Sequence, residues 1–133
     1  LNIGGYKFDK KTKTFPIFIN YDKQDDISDT TKYEDHFVGD NRLIAISKSG
    51  RTIASEDVQN FLHAKERGID VQLFVRKNKD DKISKEFYYL GRVNATGQVK
   101  EFVMPNTDKT AVEIEWVLDT PVREDIYEYI VNG

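Results

Sequence analysis

"AVEIEWVLD", residues 111–119, alternates without a break. Val112, Ile114, Trp116 and Leu118 share one face, which is the two-residue period of a half-buried strand. Trp116 among Ile114 and Leu118 belongs to a core rather than to a ligand. "DVQLFVRK" (70–77) repeats the pattern, with Val71, Leu73 and Val75 set against Gln72, Phe74 and Arg76. "EFYYLGRV" (86–93) pairs with it as a hairpin across the charged turn "NKDDKIS" (78–84). Tyr88 and Tyr89 then point to opposite faces, and one of them is expected to be exposed. "FPIFINY" (15–21) is aromatic and β-branched with Pro16 near its start, which reads as a strand and suits an edge. "RLIAIS" (42–47) reads as a short buried strand and "QVKEFVM" (98–104) as another.

Two helices follow from cap and period. Ser55 caps the first, Glu56 and Asp57 suit its positive end, Val58, Phe61 and Leu62 make its apolar stripe, and Gly68 ends it. The second is predicted to start with Thr120 as cap and Pro121 at the first helical position. Its Val122, Ile126, Tyr129 and Ile130 form one face that docks on the sheet. Thr31 and Glu34 have capping-box spacing, so "TKYEDHF" (31–37) is read as a short helical turn with Tyr33 and Phe37 on one face. Strands with two such helices predict an α+β domain on a curled mixed or antiparallel sheet, or a small β-barrel.

The bulk composition is compatible with that. A chain of 133 residues suits one domain, here 1–133, and can bury roughly two-thirds of its unfolded surface. With 38% hydrophobic and 32% charged residues, seven Tyr, eight Phe and one Trp, it is globular rather than disordered. The absence of Cys excludes disulfides and thiolate metal sites and fits a cytoplasmic setting. No apolar run approaches the ~20 residues that span a bilayer, so no membrane partner is expected. The opening "LNIGGYKF" (1–8) lacks an initiating Met and suggests a domain excised from a larger protein. The net charge of −3 argues against capture of nucleic acid by the whole molecule, but 20 Lys and Arg can still form a local basic face.

Two stretches carry chemistry. Tyr33 with Glu34 and Asp35 could line a base pocket, an aromatic face beside a carboxylate that accepts from the exocyclic amino group of cytosine. The plainer alternative has Tyr33 and Phe37 anchoring the turn while the acids face water. "SKSGRT" (47–52) follows a strand and offers hydroxyls, two cations and a glycine, a loop able to hold a phosphate. An ordinary solvated turn is the alternative. The spacing of a P-loop is absent, so nucleotide hydrolysis is not supported. "KFDKKTK" (7–13) reads mainly as a solvated turn.

His36 and His63 lie on different elements and have no metal-ligand spacing. "DKQDDISD" (22–29) lacks the central Gly of a calcium loop, and Tyr33 stands where its bidentate Glu would fall. No catalytic set can be assembled, so the domain is expected not to be an enzyme and to carry no cofactor or metal of its own.

"FPIFINYDKQDDISDTTKYEDHF", "SKSGRT", "LFVRK", "FYYLGRV" and "TPVREDIYEYI" together resemble the C-terminal target-recognition domain of SauUSI-like type IV restriction endonucleases. These are large bacterial proteins with phospholipase-D-like nuclease and superfamily-two helicase regions. The resemblance runs from about Phe15 to Tyr129 and is most specific in "TTKYED" and "SKSGRT". It implies an SRA- or PUA-like fold that reads 5-methylcytosine or 5-hydroxymethylcytosine in double-stranded DNA by base flipping, in the service of bacterial defence. The helicase and nuclease regions of the same parent chain are implied partners, and ATP and Mg belong to the parent.

Carried onto this chain, the resemblance puts Thr31, Tyr33, Glu34, Asp35 and Tyr21 at the base and Lys32, Ser47, Lys48, Ser49, Arg51 and Thr52 at the phosphates. One methyl discriminates by only ~1 kcal/mol or slightly more, and unstacking costs a few kcal/mol, so pocket and phosphate contacts must share that cost. The alternative function is an interaction module that docks on the parent helicase and regulates it without touching DNA. The acidic balance and the apolar face of the last helix suit that alternative.

Overall fold

The computed structural model of this chain describes residues 5–21, 35–77 and 87–132. Among these, β1 (Gly5–Tyr6), β2 (Thr14–Tyr21), β3 (His36–Gly39), β4 (Arg42–Ile46), β5 (Asp70–Lys77), β6 (Tyr88–Val103) and β7 (Thr110–Leu118) join α1 (Glu56–Leu62) and α2 (Glu124–Asn132). The strands make one mixed sheet in the order β1-β2-β5-β6-β7-β4-β3. Only β2 and β5 run parallel, with β3, β4 and α1 between them in the chain, while the other neighbouring pairs are antiparallel. Among the described residues β1 and β3 are the two unjoined ends, so the sheet is curled rather than closed into a barrel.

The curl comes from β6. The sequence reads 86–93 and 98–104 as two strands, but they are one strand of 16 residues. Its first part pairs with β5 up to Arg92, and its second with β7 from Val93 to Val103. The register slips between Ala95 and Val99, where Gly97 has φ 102°. An irregularity with a positive-φ glycine bends a strand without ending it, which lets one strand serve both halves of the sheet.

The predicted alternation is realised at the core. Phe15, Ile17 and Ile19 of β2, Val71, Leu73 and Val75 of β5, Leu43 and Ala45 of β4, and Val112, Ile114, Trp116 and Leu118 of β7 are all buried in one cluster. Val58 and Phe61 of α1 and Ile130 of α2 close it. β2 is not an edge strand: β5 flanks it on one side, and the two-residue β1 reaches only Ile17 and Phe18 on the other.

Three boundaries differ from expectation. α2 begins at Glu124, not at Pro121. The preceding segment is tied to the turn between β3 and β4 by the Val122 N–H, which donates to the Asp40 carbonyl at 2.7 Å. The Ser55 N-cap is positioned as predicted but makes no side-chain cap bond, because its Oγ accepts instead from the Thr52 N–H at 2.9 Å. α1 stops at Leu62, and irregular turns carry the chain to Gly68, whose φ of 69° suits only glycine comfortably. The helical turn over 31–37 lies mostly outside the described residues. Its last two residues, His36 and Phe37, are strand, because they pair with Ile44 and Leu43 of β4.

The apolar face of α2 is not left for a partner. Ile130 is fully buried, and Ile126, Tyr127 and Tyr129 pack against the core. Tyr88 and Tyr89 are both exposed, at 36% and 59%, rather than one of them only. No helix among the described residues is long and apolar enough to cross a membrane.

Candidate nucleic-acid interface

Asp35 and the loop 47–52 are neighbours in space. Asp35 Oδ1 accepts from the Ile46 N–H at 2.7 Å. The β3–β4 ladder has ended at His36, so the carboxylate supplies the next rung from a side chain. The end of "TTKYED" is thereby fixed at the root of "SKSGRT".

Tyr21 stands behind this junction. Its hydroxyl accepts from the Phe37 N–H at 3.2 Å, and its ring stacks on Phe37 with centroids 5.6 Å apart. Burial pushes its phenol pKa up, and the charge of Asp35 adds to the shift. Tyr21 is buried and supports the strand next to Asp35. Thr31, Lys32, Tyr33 and Glu34 lie outside the described residues, as do the rejected calcium-like stretch 22–29 and the turn 78–84.

The loop is pinned from below. Ser47 is buried: its hydroxyl accepts from the Val112 N–H and donates to the Lys48 carbonyl, each at 2.9 Å. The Ser47 N–H donates to the Val112 carbonyl at 2.8 Å, and the Gly50 N–H to the Thr110 carbonyl at 2.7 Å. Gly50 has φ 85°, so a side chain there would be strained. Lys48 and Ser49 are exposed, while Arg51 and Thr52 are half-buried. Ser47 is thus a structural anchor, and Lys48, Ser49 and Arg51 carry whatever the loop presents to solvent.

Sequence reasoning missed Tyr6 and underestimated Asp57. The Tyr6 hydroxyl donates to Asp57 Oδ2 at 2.7 Å and accepts from the Lys48 N–H at 3.0 Å. Arg51 Nε donates to the same carboxylate oxygen at 2.8 Å. The Tyr6 ring lies edge-on to Phe61 at 4.9 Å, with the Lys48 ammonium 4.7 Å from its centroid. One carboxylate on α1 therefore holds both β1 and Arg51. Asp57 was legible only as an acid in the first helical turn, and nothing near Tyr6 in sequence signals the contact.

The same network makes the domain sensitive to alkali. Burial raises the Tyr6 pKa well above that of a free phenol, and the hydrogen bond to Asp57 reinforces this. A pKa raised on folding stabilises the fold below the unfolded value of about 10 and is lost as pH climbs toward the folded one. Tyr6→Phe is therefore expected to flatten the fall in stability above about pH 10, read by urea titrations at several pH values. An unchanged alkaline profile would refute the role given to this phenol. For Asp57, burial works against ionisation, but the bonds from Tyr6 and Arg51 outweigh it and hold the carboxyl below its ordinary value. Its contribution is present at neutral pH and lost only in acid.

A second group lies on the opposite face of β2 and β5. Phe18 stacks on Phe74 at 4.9 Å and meets Phe87 edge-on at 5.3 Å, and the Arg76 guanidinium lies 4.6 Å from the Phe87 centroid. Asn20 Oδ1 accepts from Arg76 Nε at 2.8 Å, while the buried Asn20 Nδ2 has no hydrogen-bond partner. No group of three or more His, Asp or Glu able to hold a metal occurs among the described residues.

This curled mixed sheet with two helices has the fold of SRA domains. It is similar to the SRA domain of SUVH5 in a crystal structure with fully methylated CG DNA. The TM-score is 0.53 at 11% identity, over 90% of this chain and 77% of that one. KRYPTONITE, in a crystal structure with mCHG DNA and SAH, gives a TM-score of 0.46 at 11% identity over 92% of this chain and 28% of that one. No curated protein sequence matches. The chain belongs to the family described as a domain of unknown function, DUF3427, which matches residues 1–130.

Proposed function

We propose that this domain is a non-catalytic reader of 5-methylcytosine or 5-hydroxymethylcytosine in double-stranded DNA. The observation that carries the reading is its fold likeness, over 90% of the chain, to an SRA domain crystallised with fully methylated CG DNA. The local geometry supports it. Asp35 stands at the root of the 47–52 loop, so an acceptor for the cytosine amino group and a loop of cations and hydroxyls share one region. In this mechanism the modified base leaves the stack, Asp35 accepts from N4, and Tyr33 and Glu34 complete the surroundings of the base. Thr31 lies with them at the base, and Lys48, Ser49 and Arg51 hold the flanking phosphates, with Lys32 and Thr52 beside them.

The resemblance to type IV restriction enzymes extends the proposal. The domain would target a parent nuclease, with ATP and magnesium serving the helicase and nuclease regions and no residue of this chain. The aromatic group around Phe18 and Phe74 favours a second reading, a face that docks on those regions.

Fluorescence anisotropy with matched duplexes, methylated and plain, at two salt concentrations tests the proposal. Tighter binding to the methylated duplex is expected, with selectivity lost in Tyr33→Ala and overall affinity lost in Arg51→Ala. Because net charge is −3 and the basic surface is local, affinity should fall as salt rises. No binding to either duplex at low salt would overturn the reader and leave the docking reading.

A further inference from the structure

Arg51 is held at both ends. Its carbonyl accepts from the Thr110 hydroxyl at 2.8 Å, and the N–H of Gly50 before it donates to the Thr110 carbonyl at 2.7 Å. Its side chain is held by Asp57, through Nε, at 2.8 Å. A guanidinium reads a phosphate with the fork of its N–H donors, and a bond at Nε leaves the Nη edge of that fork pointing away from the carboxylate. The side chain of Arg51 is 37% exposed and that of Asp57 only 16%, so the cation reaches solvent and the acid lies behind it.

Asp57 is in turn fixed from the core. The oxygen that accepts from Arg51 also accepts from the Tyr6 hydroxyl at 2.7 Å. The Tyr6 ring sits edge-on to Phe15 at 5.5 Å and to Phe61 at 4.9 Å. The other carboxylate oxygen accepts from the Val58 N–H at 2.9 Å. The carboxylate therefore has little freedom to turn, and it passes that restraint to Arg51.

An acid beside a cation that binds DNA opposes binding by its charge. Its presence is favourable only if fixing the cation is worth more than that repulsion. A free arginine side chain loses its rotamer freedom when it grips a phosphate, whereas a held one has already lost it. We propose that Asp57 is a positioning residue of the phosphate site: fixed by Tyr6, it aims the Nη edge of Arg51 at the DNA backbone. The role rests on the reading of the domain as a DNA reader and adds to that reading a residue that touches no DNA.

Anisotropy on a methylated duplex across a salt series compares the wild type with Asp57→Ala, Arg51→Ala, their double variant and Arg51→Lys, with circular dichroism as the control for folding. Asp57→Ala is expected to bind about fivefold to tenfold more weakly although it removes a negative charge. Its salt slope should fall by up to about 0.9, the share of one phosphate. The double variant should bind within about twofold of Arg51→Ala, because Asp57 acts through Arg51. Arg51→Lys is an exposed exchange that keeps the charge and tests the role even if Asp57→Ala does not fold. Its single nitrogen cannot serve carboxylate and phosphate as a fork does, so its binding should approach that of Arg51→Ala. Unchanged or tighter binding by Asp57→Ala would make the acid a plain counter-charge and overturn the role, as would wild-type affinity in Arg51→Lys. Losses from Asp57→Ala and Arg51→Ala that simply add would overturn it too, while leaving the reader intact. A wild-type chain that binds no duplex overturns the reader and this role together.

Discussion

Asp35→Asn is expected to weaken binding to a methylated duplex about tenfold to a hundredfold, while the domain stays folded. The asparagine oxygen can still accept from the Ile46 N–H, the bond at 2.7 Å that extends the β3–β4 ladder. The new NH2 group is a donor, however, and it would meet the donor N4 of cytosine. Two donors facing each other in a desolvated site leave both unsatisfied, which costs more than the simple loss of a bond. Asp35→Ala would also lose the rung at Ile46 and so mix stability with recognition; the Asn variant separates them. The measurement is anisotropy on methylated and plain duplexes, with circular dichroism as the control for folding. Wild-type affinity for the methylated duplex in Asp35→Asn would remove Asp35 from the base site.

Trp116→Ala is expected to destabilise the domain by about 3–5 kcal/mol. Trp116 is 1% exposed and lies opposite Leu43 of β4 on one side and Ala95 of β6 on the other. Its ring meets Phe61 of α1 edge-on at 5.2 Å. It therefore joins three strands to the helix that bears Asp57, and removing it opens a cavity at their junction. Small domains have roughly 5–15 kcal/mol of total stability, so the variant should unfold at much lower urea with little change in the slope of the transition. A loss under about 1 kcal/mol would mean that this junction relaxes around the cavity and is not the packing centre of the fold.

The sequence by itself determined the period of the main elements. β2, β5 and β7 and the existence of both helices follow from alternation and helical spacing, because a side chain's face in a strand or helix is set locally. The burial of Trp116 was legible for the same reason, whereas the burial of Ser47 at the root of its loop was not. Other features were decided by tertiary contacts alone. β6 reads as two strands because a bent strand with Gly97 at the bend has the local pattern of a turn, and only pairing with both β5 and β7 makes it continuous. His36 and Phe37 follow a capping-box spacing but are drawn into a strand by β4. Helix α2 starts at Glu124 rather than at Pro121, and the segment before it is tied to Asp40 through Val122. The site was legible only in pieces. Asp35 and Ser47–Thr52 are recognisable as residue types, but the Asp35–Ile46 bond and the Tyr6–Asp57–Arg51 contact span 11, 51 and 6 positions. Hydrogen bonds between residues so placed depend on how the chain folds back on itself, and neither alternation nor helical period encodes that.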